Sequence, residues 1–139
     1  MSRWIKQTTA GTTSIATTST TDEYIIAAKT GKVTAAKLNS LSGLAAHDTN
    51  YLTFANTNLG AAASGTAALL AATDANTTKS TGGSLLTANV VRSLTLSSTA
   101  ADLNVTEGDV LRLRATSAAT LAGAVTRPQW EITIKTAQR

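Results

Sequence analysis

The sequence contains no cysteine and only one histidine, His47. Without cysteine, the chain has no disulfides, no zinc site built on thiolates and no cysteine nucleophile. A single histidine excludes a multi-histidine metal site within one chain, and a Ser-His-Asp triad would have to include His47. The neighbouring Asp48 lies on the same short loop and no G-x-S-x-G motif accompanies the pair. We therefore expect His47 to be a surface-loop residue.

Charge is also scarce, since charged residues make up only 14% of the chain and aromatic residues only 4%. The 12 basic residues outnumber the 8 acidic residues, which gives a formal net charge of +4, but they are scattered. Nucleic-acid binding would call for a basic run or for aromatic residues interleaved with basic ones. We therefore expect no nucleic-acid partner, and we expect a weakly basic domain of this kind to face an acidic protein surface.

Long hydrophobic runs are missing as well. No segment approaches the roughly 18 apolar residues needed to span a membrane. The first 20 residues contain no apolar segment of signal-peptide length. We therefore expect neither a secretory signal nor a membrane association.

Threonine and alanine dominate instead, with 27 Thr and 26 Ala among 139 residues. The length is that of one domain, and the branched side chain of Thr suits a pleated, half-buried surface. This composition predicts a small β-sandwich whose outer faces carry Thr and Ser. Because Lys, Glu and Asp are depleted at interfaces, such a surface suits a protein packed against copies of a partner. A Thr-rich soluble domain without such a partner is the alternative.

The first 21 residues differ from the rest of the chain. Residues 8–21 are almost entirely Thr, Ser, Gly and Ala, with Ile15 as the exception. This composition predicts an extended arm or a weak edge strand. We assign residues 1–21 to an extended Thr-rich N-terminal arm and residues 22–139 to the β-sandwich domain.

The arm begins with a short apolar stretch, "RWIK", in which Trp4 and Ile5 lie between Arg3 and Lys6. A tryptophan near a mobile terminus often docks on a neighbouring molecule, because large aromatic side chains dominate interface energetics. A tryptophan folded back on its own core fits the sequence equally well.

The rest of the sequence predicts six or seven strands, with turn signals about ten residues apart. This spacing is typical of an all-β, antiparallel β-sandwich or jelly-roll-like single domain. Residues 59–84 are ambiguous, because the part from Thr66 to Ala75 fits either a short helix or a small-residue strand followed by a long loop. The segments with strand character are 23–28, 32–44, 51–56, 84–97, 110–115 and 127–135.

The last of these segments alternates in a regular way. Its apolar residues recur at every second position, which predicts one buried and one solvent-facing side. Pro128 lies at the start of the strand, where its missing N–H costs no ladder hydrogen bond. The residues expected to face inward are Trp130, Ile132 and Ile134, and those expected to face outward are Glu131, Thr133 and Lys135.

The stretch "NVTEGDVLRLRATS" places two acids, Glu107 and Asp109, around Gly108. A glycosidase pair requires carboxyl groups about 5–9 Å apart on opposite sides of a sugar bond, and calcium requires about six to eight oxygen ligands. Two acids on one short turn meet neither requirement. Gly tolerates positive φ and Asp can hydrogen-bond to its own backbone, so we interpret the motif as a tight turn. We therefore expect no catalytic, metal-binding or cofactor-binding residue in the chain.

The strand after this turn alternates leucine and arginine. The alternation directs Leu111 and Leu113 to the core and Arg112 and Arg114 to the outside. Two outward arginines can form bidentate contacts with carboxylates. The sequence leaves two roles open for them, either pairing with an acid such as Glu131 on a neighbouring strand or binding an acidic partner surface.

The order of these segments is similar to that of a known protein family. The chain contains the pattern L-x-L…A-x-L-x-V-x-x-G-D-V-L, formed by Leu94, Leu96, Leu103, Val105, Gly108, Asp109, Val110 and Leu111. With this pattern, residues 22–135 resemble the small β-sandwich decoration (cement) proteins of tailed-bacteriophage heads. The chain departs from that family in its Thr-rich arm and in its long Ala-rich middle segment.

The resemblance implies a non-enzymatic structural protein that binds the outer surface of the phage head and bridges major capsid protein subunits. It implies a homo-oligomer, with a trimer favoured, that is made in the host cytoplasm and located on the virion exterior. No cofactor or small-molecule substrate is implied. The candidates for partner contact are Arg3, Trp4, Ile5, Arg112 and Arg114. The alternative is a head- or tail-fibre-type virion module that recognises host-surface glycans, while an enzyme is disfavoured because no acid, base and nucleophile converge.

Overall fold

The computed structural model of the protein describes residues 2–9 and 14–137. These residues form two antiparallel sheets that pack as a β-sandwich, which confirms the predicted fold class. Two short 3-10 helices span Asp74–Asn76 and Ala100–Leu103. The strands are β1 (Ser2–Thr8), β2 (Thr20–Ile26), β3 (Gly31–Asn39), β4 (Leu52–Gly60), β5 (Ala67–Ala68), β6 (Arg92–Leu94), β7 (Asn104–Val105), β8 (Val110–Ser117) and β9 (Gln129–Ala137).

Each sheet has long strands at its centre and shorter or less regular strands at its edges. Sheet 1 has the order β1-β9-β3-β6, and β7 also pairs with β3. Sheet 2 has the order β2-β8-β4-β5. The strands within both sheets pair antiparallel. No helix in the described part of the chain is long and apolar enough to cross a membrane.

The core lies between the sheets and follows from the alternation of β8 and β9. Leu111 and Leu113 of β8 are completely buried, and so are Ile132 and Ile134 of β9. Burying a side chain of this size stabilises the folded state by about 1.5–3 kcal/mol. These predicted core positions are therefore confirmed, and the opposite side of each strand forms an outer face.

One predicted outward residue of β9 is buried after all. Glu131 and Lys135 face outward as expected, but Thr133 is only 6% exposed. Because β9 lies between two strands, Thr133 is flanked by Lys6 of β1 and Ala35 of β3, which are its partners in register. Neighbours on both sides cover its short side chain.

The N-terminal segment belongs to the sandwich and is not a separate arm. Strand β1 pairs with β9 over its whole length. Ile15 is 1% exposed, and it exchanges two backbone hydrogen bonds of 2.9 Å with Val125. Pairing satisfies the backbone N–H and C=O groups that an extended arm would leave to water. The predicted boundary at residue 21 is therefore wrong for the described residues, while residues 10–13 of the predicted arm lie outside them.

The ambiguous segment 59–84 forms a long connection that contains only β5 and the first 3-10 helix. Asn76, which is 0% exposed, organises this connection. Its amide Nδ2 donates hydrogen bonds of 2.8 Å to the carbonyl oxygens of Ala71 and Thr95, and its Oδ1 accepts the Thr95 N–H at 2.7 Å. A buried asparagine therefore supplies the backbone partners that a helix or a longer strand would have supplied.

The strand predicted within 84–97 is much shorter than expected. Only Arg92–Leu94 pairs with β3, and Val90 and Val91 before it are 54% and 57% exposed. Arg92 faces the interior here, because its partner in register is the buried Leu38. The two valines are therefore surface residues, although their apolar side chains predict a buried strand.

The guanidinium group of Arg92 anchors the long connection to the core. It donates hydrogen bonds to the carbonyl oxygens of Ser84 at 2.7 Å, Ala75 at 3.0 Å and Thr77 at 2.6 Å. Its carbon Cζ lies 5.3 Å from the centre of the Phe54 ring. Burial lowers the pKa of Arg92 below its usual value, but an arginine side chain stays charged in proteins. One half-buried cation thus satisfies three loop carbonyls at once.

We expect Arg92→Lys to lower the free energy of unfolding by about 2 kcal/mol, because one ammonium group cannot reproduce the planar set of three hydrogen bonds. The measurement is urea unfolding followed by circular dichroism. Arg127→Lys is the matched control, because Arg127 is exposed and should tolerate the change within about 0.5 kcal/mol. Equal stability of the two variants would contradict the role given to Arg92.

Candidate partner-binding surfaces

The Glu-Gly-Asp motif is a β-turn that leads into β8. The Asp109 N–H donates to the carbonyl oxygen of Thr106 at 2.9 Å. The Asp109 carboxylate oxygen Oδ2 accepts hydrogen bonds of 2.9 Å from the Thr106 N–H and from Asn58 Nδ2. Gly108 has a φ of +94°, a conformation that L side chains rarely adopt. Asp109 and Gly108 therefore shape the turn, as the sequence predicts.

Glu107 does not share a site with Asp109. Its side chain is 62% exposed, and its carboxylate lies 3.9 Å from the ammonium group of Lys29. The two acids of the motif thus have separate partners. In residues 2–9 and 14–137, no three His, Cys, Asp or Glu side chains lie close enough together to bind a metal ion.

His47 and Asp48 also have separate structural roles. The His47 Nδ1 accepts the N–H groups of Thr49 at 3.0 Å and Asn50 at 2.9 Å. The Asp48 carboxylate accepts the N–H of Thr81 at 2.8 Å and its hydroxyl at 3.1 Å. The hydrogen bond from the Thr81 backbone is the main cause that lowers the pKa of Asp48. Both residues therefore hold exposed loops in place and do not form a base with its orienting acid.

The five predicted contact residues fall on opposite sheets of the sandwich. Arg3, Trp4 and Ile5 belong to β1 in sheet 1, whereas Arg112 and Arg114 belong to β8 in sheet 2. Ile5 pairs with the buried Ile134 and is itself half-buried. Arg3 and Trp4 are exposed. A single flat partner therefore cannot contact all five residues at once.

On the outer face of sheet 2, Arg114 forms an internal ion pair. Its Nε and Nη2 atoms donate to the two carboxylate oxygens of Asp22, at 2.7 Å and 2.9 Å. The hydrogen bond with Arg114 is the main cause that lowers the pKa of Asp22, and the charges of Arg114 and Arg112 add to it. The predicted pairing of these arginines with Glu131 is wrong, because Glu131 lies in the other sheet, sheet 1. Arg114 is thus engaged in cross-strand pairing.

The outer face of sheet 1 carries a concentration of lysines that is not apparent in the sequence. We call it the lysine face, and it consists of Trp4, Lys6, Lys32, Lys37, Glu131 and Lys135. These side chains come from β1, β3 and β9, and register places them on the side opposite the buried residues. Glu131 is the acidic member of the face and lies directly opposite Lys37.

Three residues form a row across the lysine face. Lys135 lies between Trp4 on one side and Lys32 on the other. Its ammonium group lies 5.1 Å from the centre of the Trp4 ring, within reach of a cation–π interaction. Lys32 and Lys135 are like charges in directly opposite positions, an arrangement that destabilises a sheet. In the described residues, neither of them has an acidic partner within 4.0 Å.

A shallow groove of about 250 Å³ lies along the edge of β4. Along this edge β4 pairs with β5 at one end and forms a single bridge from Thr53 to Thr77 at the other. The groove lies between these two contacts. Tyr51 lines it, with the Lys79 ammonium group 4.8 Å from the centre of its ring. Lys79 also forms an ion pair of 3.0 Å with Asp74. The groove therefore contains a satisfied charge pair and two aromatic rings, of which Phe54 is buried and Tyr51 is partly covered.

We expect Gly108→Ala to lower the free energy of unfolding by about 1–2 kcal/mol, because Ala is strained at a φ of +94°. The effect should be purely conformational, since a methyl group at this position would have no heavy atom within 4 Å. Gly123→Ala is the control, because Gly123 has equally open surroundings and an ordinary φ. Chemical denaturation of both variants tests this, and equal stabilities would contradict it.

We expect Asp22→Asn to lower the free energy of unfolding at neutral pH by about 1 kcal/mol or less, because solvent screens this bidentate pair. The folded pKa of Asp22 lies below the ordinary value of 3.8. The contribution of the pair is therefore fully present above pH 3.8 and disappears as the pH falls through the lower folded pKa. The difference between wild type and variant should shrink over that range. A difference for Asp22→Asn that stays constant over this range would refute the assignment.

Comparisons with known proteins give no relative from which to infer a role for these surfaces. The chain matches no protein-family model, no curated protein and no solved structure.

Proposed function

We propose that this protein is a bacteriophage capsid decoration (cement) protein that binds the outer surface of the head and bridges major capsid protein subunits. The observation that carries the proposal is the number of large apolar side chains on the surface. Among the described residues, seven are more than half exposed, namely Trp4, Tyr24, Ile26, Leu41, Leu85, Val90 and Val91. A domain that is poor in charge yet exposes so many large apolar groups suits a protein covered by partners.

Some of these exposed residues lie close together. The N–H of Asn89 donates to the carbonyl oxygen of Ser40 at 2.8 Å. This hydrogen bond brings the segment containing Val90 and Val91 to the residue that precedes Leu41. Single exposed apolar residues are normal on protein surfaces, whereas grouped ones indicate an interaction site. Apolar contact sites at more than one place suit a protein that bridges neighbouring subunits.

The resemblance to decoration proteins supports the same proposal. Its pattern runs from β6 to β8, and several of its apolar members are buried, including Leu103 at 8% and Val105 at 2% exposure. The pattern therefore concerns the framework of the sandwich, and the contacts with a head come from other residues. The resemblance also implies a location on the virion exterior and a homo-oligomer, for which a trimer is favoured.

The second candidate, a virion module that recognises host glycans, would use the groove beside Tyr51. Glycan sites of that kind require exposed aromatic surfaces. The ring of Tyr51 is partly covered by Lys79, and the exposed Trp4 and Tyr24 lie on different sheets. The groove thus lacks an aromatic platform in the described residues, so we favour decoration over glycan recognition.

Co-sedimentation with purified, expanded heads that lack this protein tests the proposal. We expect saturable binding, and we expect decorated heads to resist heat and chelators better than bare heads, because a ligand that binds only the assembled state stabilises it. An unrelated β-sandwich protein of the same size is the control. Absence of binding, or equal resistance of bare and decorated heads, would contradict decoration. Specific hits on a glycan array would favour the second candidate.

A further inference from the structure

We infer that the lysine face is the surface that docks on the capsid, and that it fits an acidic protein surface with a recess for Trp4. This inference rests on the proposed function and specifies which side of the sandwich faces the head. The opposite face, with Arg112 and Arg114, then points away from the contact.

The charges of the lysine face are poorly compensated within the molecule. Four lysines share the face with a single carboxylate, Glu131. The ion pairs found in the described residues all involve other cations, namely Lys29, Lys79 and Arg114. Lys32 and Lys135 even face each other directly, which costs stability in the free protein. An acidic partner would relieve this repulsion and would also accelerate association by electrostatic steering.

Trp4 has the properties of an interface anchor. It is 59% exposed although it belongs to a regular strand. The ammonium group of Lys135 lies 5.1 Å from the ring centre, where a cation–π interaction favours this orientation of the ring. An anchor that is oriented before binding loses less conformational entropy on binding. Tryptophan is also among the residues most often found at the energetic centre of interfaces.

The far end of the same face is apolar as well. Val91, 57% exposed, borders a small recess together with Thr8, Lys37, Gln129 and Glu131. The lysine face thus contains a tryptophan towards one end, is bordered by an exposed valine at the other and has cations between them. The exposed Trp4 and Val91 add apolar contacts that a purely electrostatic footprint lacks, while the lysines contribute through charge complementarity to an acidic partner.

A nucleic acid fits this surface less well than an acidic protein does. The middle row of the face consists of Lys6, Thr133 and Ala35, so neutral residues separate the cations. Trp4 is the one aromatic residue of the face, and Lys135 already covers one side of its ring. Single-stranded nucleic acids call for several stacking rings along a continuous basic groove.

The first part of the test compares two exposed aromatic residues on opposite faces. Trp4 is 59% exposed on sheet 1 and Tyr24 is 56% exposed on sheet 2. We expect Trp4→Ala to weaken binding to purified expanded heads by about 30-fold or more, as for an anchor residue. Tyr24→Ala, which removes an exposed aromatic side chain from the opposite sheet, should weaken binding much less than Trp4→Ala does. Thermal unfolding of each variant shows that a loss of binding is not a loss of fold.

The second part compares two double variants, one that loses two positive charges from the lysine face and one that loses two from elsewhere. Lys32→Gln with Lys135→Gln should weaken head binding by about tenfold or more, and the weakening should be largest at low salt. The control is Lys29→Gln with Arg127→Gln, which removes the same charge outside the lysine face and should leave binding within about twofold. Both double variants are also tested for binding to duplex DNA.

The outcomes separate this inference from the proposed function. If wild type binds heads and the variants of the lysine face lose more affinity than Tyr24→Ala and the control double variant, the inference is supported. If wild type binds heads but the variants of the lysine face keep their affinity, or Tyr24→Ala or the control double variant loses as much, the inference is wrong and decoration stands. If wild type does not bind heads, both are wrong. Binding to DNA but not to heads, lost in the lysine-face double variant, would instead identify a nucleic-acid surface.

Discussion

The contact between Trp130 and Phe54 is the interaction on which the rest of the structure depends. Their ring centres are 5.8 Å apart and their planes meet at 80°, an edge-to-face arrangement that is favourable beyond its buried area. Trp130 belongs to β9 in sheet 1 and Phe54 to β4 in sheet 2, so the pair joins the two sheets. Phe54 also contacts the guanidinium of Arg92, which anchors the long connection between β4 and β6. One aromatic ring therefore links the core to the least regular part of the chain.

The polar residues that suggest chemistry in the sequence mostly serve to satisfy the backbone. Asp109, Asp48 and His47 accept backbone N–H groups in turns and loops, and Asn76 and Arg92 bind loop carbonyls. A sandwich with long connections has many backbone groups outside its ladders, and each of them needs a partner when it is buried. Because the chain has few charged residues, those it has in its loops are largely used for this purpose.

The charge and polarity of the two outer faces depend on which distant strands pair. The inner faces take most of the large apolar side chains, which leaves Thr, Ala and the few charges for the outside. On sheet 2 the cation Arg114 finds its acid in Asp22, so that part of the face is internally balanced. On sheet 1 the lysines from β1, β3 and β9 meet without comparable compensation. The two outer faces therefore differ in how far their charges are compensated within the molecule.

The sequence by itself determined the all-β class, the inward side of β8 and β9, and the turn at Gly108, because alternation and turn chemistry are local properties of a few adjacent residues. Only the tertiary structure decided that β1 is an edge strand rather than an arm, since its partner β9 lies at the other end of the sequence. The same holds for Arg114 and Asp22, which are 92 residues apart, and for the lysine face. In each case, pairing between distant strands brings together side chains whose spacing in the sequence gives no sign of their contact.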